Sequence, residues 1–242
     1  MALKRPHGLA VLSPIALALL LAGCGDGPGT HDPEHDQMRP AAEPEREADH
    51  DPAQAAAEFL APATEIDAFM DRIRQHCGDA FEGRIVANDP PRGEEPAADD
   101  PFVGQRLVMH VMECFENQVL IPFHVGDDHS RTWVLTRTED GLQLKHDHRK
   151  PDGSDDPLTM YGGFTEGPGT AQRQAFPVDQ ESIDLFNALG YEPSVVNTWA
   201  MEIEPETRFL YELSRPSGRL FQVEFDLTDP VERPPIPWGH ED

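Results

Sequence analysis

Apolar residues recur along this chain with two distinct periods. Ile66, Phe69, Met70, Ile73 and Cys77 fall at helical spacing, after a Thr64-Glu65-Ile66-Asp67 capping box and before Gly78, a natural stop. Beyond Gly78 the period shortens to two. Residues 81–87 predict a strand, followed by a Pro-, Asp- and Glu-rich excursion over 89–101. Leu107, Met109 and Val111 then alternate with Val108, His110 and Met112, and Val119, Ile121, Phe123 and Val125 form the next row. Residues 132–138 and 142–149 flank Glu139-Asp140-Gly141, a hairpin signal because glycine accepts positive φ. Residues 158–161 and 172–176 are shorter strand candidates. A second helix is predicted over 179–189, with Ile183, Phe186 and Leu189 on one face and Gly190 as its end.

The last third alternates most regularly: Trp199, Met201 and Ile203; then Phe209, Tyr211 and Leu213; then Phe221, Val223, Phe225 and Leu227 opposite Gln222, Glu224 and Asp226. Alternation of this quality marks antiparallel strands with one wet face. Roughly nine strands, two short helices and short connections predict a mainly β fold, an antiparallel meander forming a barrel or a strongly curved sheet. Trp133 and Trp199 should sit on its inward faces, and the Pro-rich stretch 230–242 should lie over its surface. The outline resembles lipocalin-like barrels, with a leading helix, a disulfide and a β meander. Their Gly-x-Trp signature is absent, since the first strand reads Phe81-Glu82-Gly83-Arg84.

The segment before Thr64 has different physics. Lys4 and Arg5 precede an apolar run from Leu9 to Leu21, which ends in Leu21-Ala22-Gly23-Cys24. A run this short fits the central region of a signal peptide, whereas a membrane-spanning helix needs roughly 20 apolar residues. Leu-Ala-Gly-Cys resembles the lipobox of bacterial lipoproteins. That resemblance implies diacylglycerol on the Cys24 thiol, cleavage before it, later N-acylation and anchorage in a membrane, because two or three acyl chains hold where one binds only marginally. Gly25 rather than Asp follows the cysteine, which favours the outer membrane, facing the periplasm. The expected organisation is a signal peptide over 1–23, an acylated Cys24 with an acidic tether over 24–63, and one β-rich domain over 64–242. The tether contains His31, His35 and His50 among Pro, Asp, Glu and Ala, with little to bury.

Cys77 and Cys114 are the other two cysteines. In an exported chain an even remainder reads as one disulfide. The sequence carries 45 acidic against 19 basic residues, a formal charge of −26, with only three lysines (Lys4, Lys145 and Lys150). Such a surface repels nucleic acid and anionic headgroups, which excludes both as partners of the domain, and it suits a saline medium where screening tames self-repulsion.

Chemistry concentrates in Leu142-Gln143-Leu144-Lys145-His146-Asp147-His148-Arg149. On a strand Leu142, Leu144, His146 and His148 share a face, so two imidazoles continue an apolar row towards the rim of a barrel cavity, while Lys145, Asp147 and Arg149 face out. Two histidines so placed can chelate a transition metal such as zinc or iron. Further ligands would have to come from His110, His124, His129, Asp152, Asp155, Asp156 or Tyr161. The metallo-β-lactamase pattern, which also opens on His-x-His, breaks at Arg149-Lys150-Pro151-Asp152. Lys150-Pro151-Asp152-Gly153 reads as a turn in its own right, and Asp127-Asp128-His129-Ser130-Arg131 lacks the elbow of a serine hydrolase. Three functions follow as expectations. The first is an envelope lipoprotein whose non-catalytic β domain binds a small ligand or an envelope-protein partner. The second is a metal-dependent hydrolase using His146 and His148, and the third is a structural envelope protein.

Overall fold

A computed structural model describes residues 64–89 and 100–240. The leader, Cys24, the tether and most of the 89–101 excursion lie outside the described residues. The domain opens with helix α1 (Glu65–Arg74), whose N-cap Thr64 accepts from the Asp67 N–H while Asp67 closes the box on the Thr64 N–H. It stops at Gln75, one turn before Gly78, which leads into the first strand with φ 89°.

The strands are β1 (Ala80–Asp89), β2 (Leu107–His110), β3 (Glu113–Cys114), β4 (Gln118–Val125), β5 (Asp128–Thr138), β6 (Gly141–His148), β7 (Tyr161–Phe164), β8 (Arg173–Pro177), β9 (Thr198–Glu204), β10 (Arg208–Ser214) and β11 (Leu220–Val231). Helix α2 (Gln180–Leu189) lies between β8 and β9; Asp179 caps its start and Gly190, at φ 78°, its end. Around the sheet the strands run β7-β6-β5-β4-β2-β1-β11-β10-β9-β8, with β3 paired on β4 and every pairing antiparallel. The domain is a mainly β, nearly closed antiparallel barrel of ten strands with two helices. Among the described residues there are eleven strands against the roughly nine expected, and the 107–125 region supplies three where two rows were read. β11 also runs through Pro230, so the overlying tail starts later than the sequence suggests.

The seam of the barrel falls between β7 and β8. One antiparallel bridge, Gly163 to Val178, joins the two edges, and the Asp179 N–H donates to the Gly162 carbonyl at 3.0 Å. The seam requires glycine at 163, and the neighbouring β6 backbone requires it at 162. A Cβ on Gly162 would lie 1.8 Å from the Leu144 carbonyl oxygen, and one on Gly163 would lie 1.8 Å from that of Pro177.

The barrel is filled rather than hollow. Alternate residues of the strands point inward and merge with the apolar face of α1 into one core that includes Phe69, Ile73, Phe81, Ile121, Leu135, Leu144, Trp199, Met201, Phe209, Val223 and Phe225. α1 closes the end marked by Thr138 and the β5–β6 turn, where Arg137 reaches Asp67 at 3.0 Å. The Cys77–Cys114 disulfide ties the turn after α1 to β3, with Cα atoms 6.2 Å apart.

Candidate functional site

The opposite end of the barrel holds the polar groups. β6 brings His146 into the interior, 4 % exposed, and His148 to the mouth, half-buried. The row read from the sequence therefore does point inward. The Tyr161 carbonyl, 3.1 Å from His146 Nδ1, can only accept, so Nδ1 carries the proton and donates. Nε2 is then the lone-pair nitrogen and accepts from the Tyr211 hydroxyl at 2.8 Å. Both ring nitrogens of His146 are engaged. His148 Nε2 lies 3.1 Å from the Tyr161 hydroxyl.

Burial keeps these groups neutral. It depresses the His146 pKa to about 3, with the neighbouring His148 adding to the effect. His148 is lowered to about 4 by burial and then by the Arg131 charge, against weaker pulls from Asp156, Asp128 and Asp147. Burial raises the Tyr211 phenol well above its ordinary value. The result is a neutral floor of two imidazoles and two phenols.

Aromatic rings stand above it. Phe123 stacks on Trp133 (4.9 Å, 17°), and Trp133 on Tyr211 (4.4 Å, 16°) from the facing wall, so three near-parallel rings cross the interior. Phe102 comes from the loop before β2. Its ring lies on Phe123 (5.9 Å, 19°) and against Phe221 (4.9 Å), with the Arg131 guanidinium 5.5 Å from its centroid. Buried Asp100 fixes this loop: its carboxylate accepts from Asn88 Nδ2 at 3.1 Å and from the Phe102 N–H at 3.0 Å. Between Phe102 and the floor remains a cavity of about 60 Å³, lined by Phe102, Arg131, Trp133, His148, Tyr161 and Tyr211 among others. That is room for a few waters, far below the 300 Å³ or more of typical small-molecule sites.

The other candidate residues do not converge here. His110 and His124 share strands with Met109 and Phe123 but alternate with them, which puts both imidazoles on the outer face, across the sheet wall from His146. There His124 Nδ1 meets His129 Nδ1 at 2.8 Å. Burial, then His129 and His110, lower the His124 pKa to about 4. Asp152 is exposed in its turn and accepts from the Ser154 N–H and hydroxyl. Among the described residues no group of three or more His, Cys, Asp or Glu side chains could hold a metal ion.

Lys145 and Asp147 point outward as expected, yet both are 5 % exposed, because later segments cover them. The start of α2 brings Asp179 and Glu181 to Lys145 Nζ at 2.9 and 2.8 Å. The tail brings His240 Nε2 to Asp147 at 3.2 Å, beside Arg149 at 2.8 Å. Phe102, Arg131 and Tyr211 are the site residues that the sequence did not single out. Tyr211 and Arg131 lie on rows of legible parity, and their partners were the missing information. Phe102 sits at the edge of an aperiodic stretch that carries no such signal.

The chain matches no described protein family and no curated protein. Among solved structures, a redesigned β barrel, mFAP1, determined bound to DFHBI, is similar at 10 % sequence identity and a TM-score of 0.27, over 64 % of this chain and 98 % of that one. An overlap this loose adds nothing to the barrel traced from its own strand pairing.

Proposed function

We propose that this chain is a lipoprotein of the cell envelope, cleaved before Cys24 and acylated there. Its barrel acts as a non-catalytic binding module for a small ligand at the outer membrane, facing the periplasm. The observation that carries the binding reading is the way the barrel ends are closed. One end is sealed by α1, whose apolar face joins the core. The other is stopped by the single ring of Phe102, lying over a floor of neutral hydrogen-bonding groups and a residual cavity. A side-chain plug on a loop can withdraw at far lower cost than a helix.

The floor suits binding better than turnover, because its groups hold one another. His146 would have to give up its bond to Tyr161 or Tyr211 before it could ligate a metal or take a substrate proton. The metal-dependent hydrolase reading therefore starts from a cost of one buried hydrogen bond. Export is supported by the Leu21-Ala22-Gly23-Cys24 sequence and by the disulfide, which belongs in an oxidising compartment.

Intact-mass spectrometry of the full chain extracted from membranes tests the anchor: the polypeptide should begin at Cys24 and carry two or three acyl chains. Native mass spectrometry of the same sample tests the module and should show a small molecule that is released on denaturation. A chain that starts elsewhere without lipid refutes the lipoprotein reading. A barrel that is always empty and also fails the titration described next refutes the binding reading.

A further inference from the structure

Resting on the binding-module reading, we propose that the barrel mouth takes a small planar aromatic carboxylate of about benzoate size, and that the Phe102 ring is its built-in stand-in. The size follows from the space. A cavity of about 60 Å³ admits no ring by itself, but withdrawal of Phe102 adds a slot already shaped by a phenyl group. That slot is walled by Phe123 on one face and Phe221 on another.

The planarity follows from the rings. Phe102, Phe123, Trp133 and Tyr211 are each within 19° of parallel to the next, so a flat ring extends the series whereas a puckered one loses the face-to-face contact.

The carboxylate follows from Arg131, which lines the cavity and lies over the ring that would leave. Its Nη1 donates to Asp128 at 2.6 Å. Among the described residues its Nε and Nη2 make no hydrogen bond, which leaves one edge of a planar fork unspent. Such an edge matches a carboxylate with two parallel bonds. The Tyr211 hydroxyl donates its hydrogen to His146 and has none left for an anion, so the anionic end of a ligand is directed to Arg131. The formal charge of −26 opposes an anion at long range, but in salt that field fades beyond about 10 Å. Arg131 acts at contact.

The test is calorimetric titration of the purified full chain, at one fixed salt concentration, with benzoate, benzyl alcohol and cyclohexanecarboxylate. Phe102→Ala should bind benzoate about tenfold more tightly than the unmodified chain, because the competing ring is gone and the open state no longer has to be populated first. Benzyl alcohol and cyclohexanecarboxylate should bind Phe102→Ala about tenfold or more weakly than benzoate does. Arg131→Gln in the Phe102→Ala background should reduce benzoate to the level of benzyl alcohol. Near-ultraviolet circular dichroism confirms folding, and Phe102→Leu serves if the alanine variant is unfolded. Weaker benzoate binding by Phe102→Ala than by the unmodified chain overturns the stand-in role. Equal binding of benzoate and benzyl alcohol overturns the carboxylate class while leaving an interior site standing. Failure of all three compounds to bind a folded Phe102→Ala variant overturns this inference, and only together with a barrel that is always empty by native mass spectrometry does it overturn the binding-module reading as well.

Discussion

Replacing Gly163 by alanine tests whether the barrel is closed by backbone contact at its seam. The added Cβ would sit 1.8 Å from the Pro177 carbonyl oxygen, whereas ordinary contact begins near 3.4 Å, so β7 and β8 must part by about 1.6 Å. Neither neighbour is a flexible side-chain end, since the next atoms met are the Pro177 carbonyl carbon and the Phe176 carbonyl oxygen. Separation on that scale breaks the Gly163–Val178 bridge and the bond from the Asp179 N–H to the Gly162 carbonyl. A lost bond of this kind costs about 1 kcal/mol, and forcing volume into a packed site costs about 1–3 kcal/mol more. The expected loss is about 3 kcal/mol, which for a domain of this size lowers the melting temperature by roughly 10 °C. Urea unfolding followed by circular dichroism reads the free energy directly. Gly167→Ala is the matched control: no atom lies within 4 Å of its Cβ, so stability should change by about 0.5 kcal/mol or less. If Gly163→Ala unfolds within about 1 kcal/mol of the unmodified chain, the seam is loose and the argument for closure fails.

Removing the disulfide by Cys77→Ser with Cys114→Ser frees a loop of 37 residues and should cost about 4 kcal/mol in the chain-entropy account, read from the urea midpoint. His146→Leu leaves the buried Tyr211 hydroxyl and Tyr161 carbonyl without their partner, for an expected loss of about 3 kcal/mol or more. Adding Tyr211→Phe should recover about 1 kcal/mol of that loss, and a double-mutant cycle without recovery refutes the His146–Tyr211 bond. Acid should destabilise the domain from neutral pH downward. His146, His148 and His124 titrate near 3, 4 and 4 when folded, against an unfolded value of 6.5, so the unfolded chain binds more protons below about pH 6.5. At pH 5 these three residues should together bind close to three protons on unfolding, measurable as the slope of unfolding free energy against pH. Asp147 adds a later loss: burial alone would raise it, but His240 and Arg149 hold it near 2, so its contribution disappears between pH 3.8 and 2.

Much of the fold could be read from the linear pattern because its causes are local. The capping box at Thr64, the Glu139-Asp140 turn before Gly141 and the inward parity of Trp133, Trp199 and Tyr211 each depend on neighbours a few residues away. The same parity rule put His146 and His148 on the core face, where they are. Applied to His110 and His124, it also shows them facing outward, and their candidacy as partners of His146 ended there. At Gly162 and Gly163 nothing in the chain said which strands would approach.

What the linear pattern determined, then, is the alternation, the caps and the turns, because each is set by residues close along the backbone, while the cysteine pair, 37 residues apart, followed from the count alone. Only the folded barrel decided that Phe102 would stop one mouth, that Tyr211 would satisfy His146 across 65 residues, and that α2 and the tail would bury Lys145 and Asp147. Those contacts join positions far apart in the chain. Periodicity carries no record of such partners, since a two-residue repeat fixes which way a side chain points and leaves open what it meets.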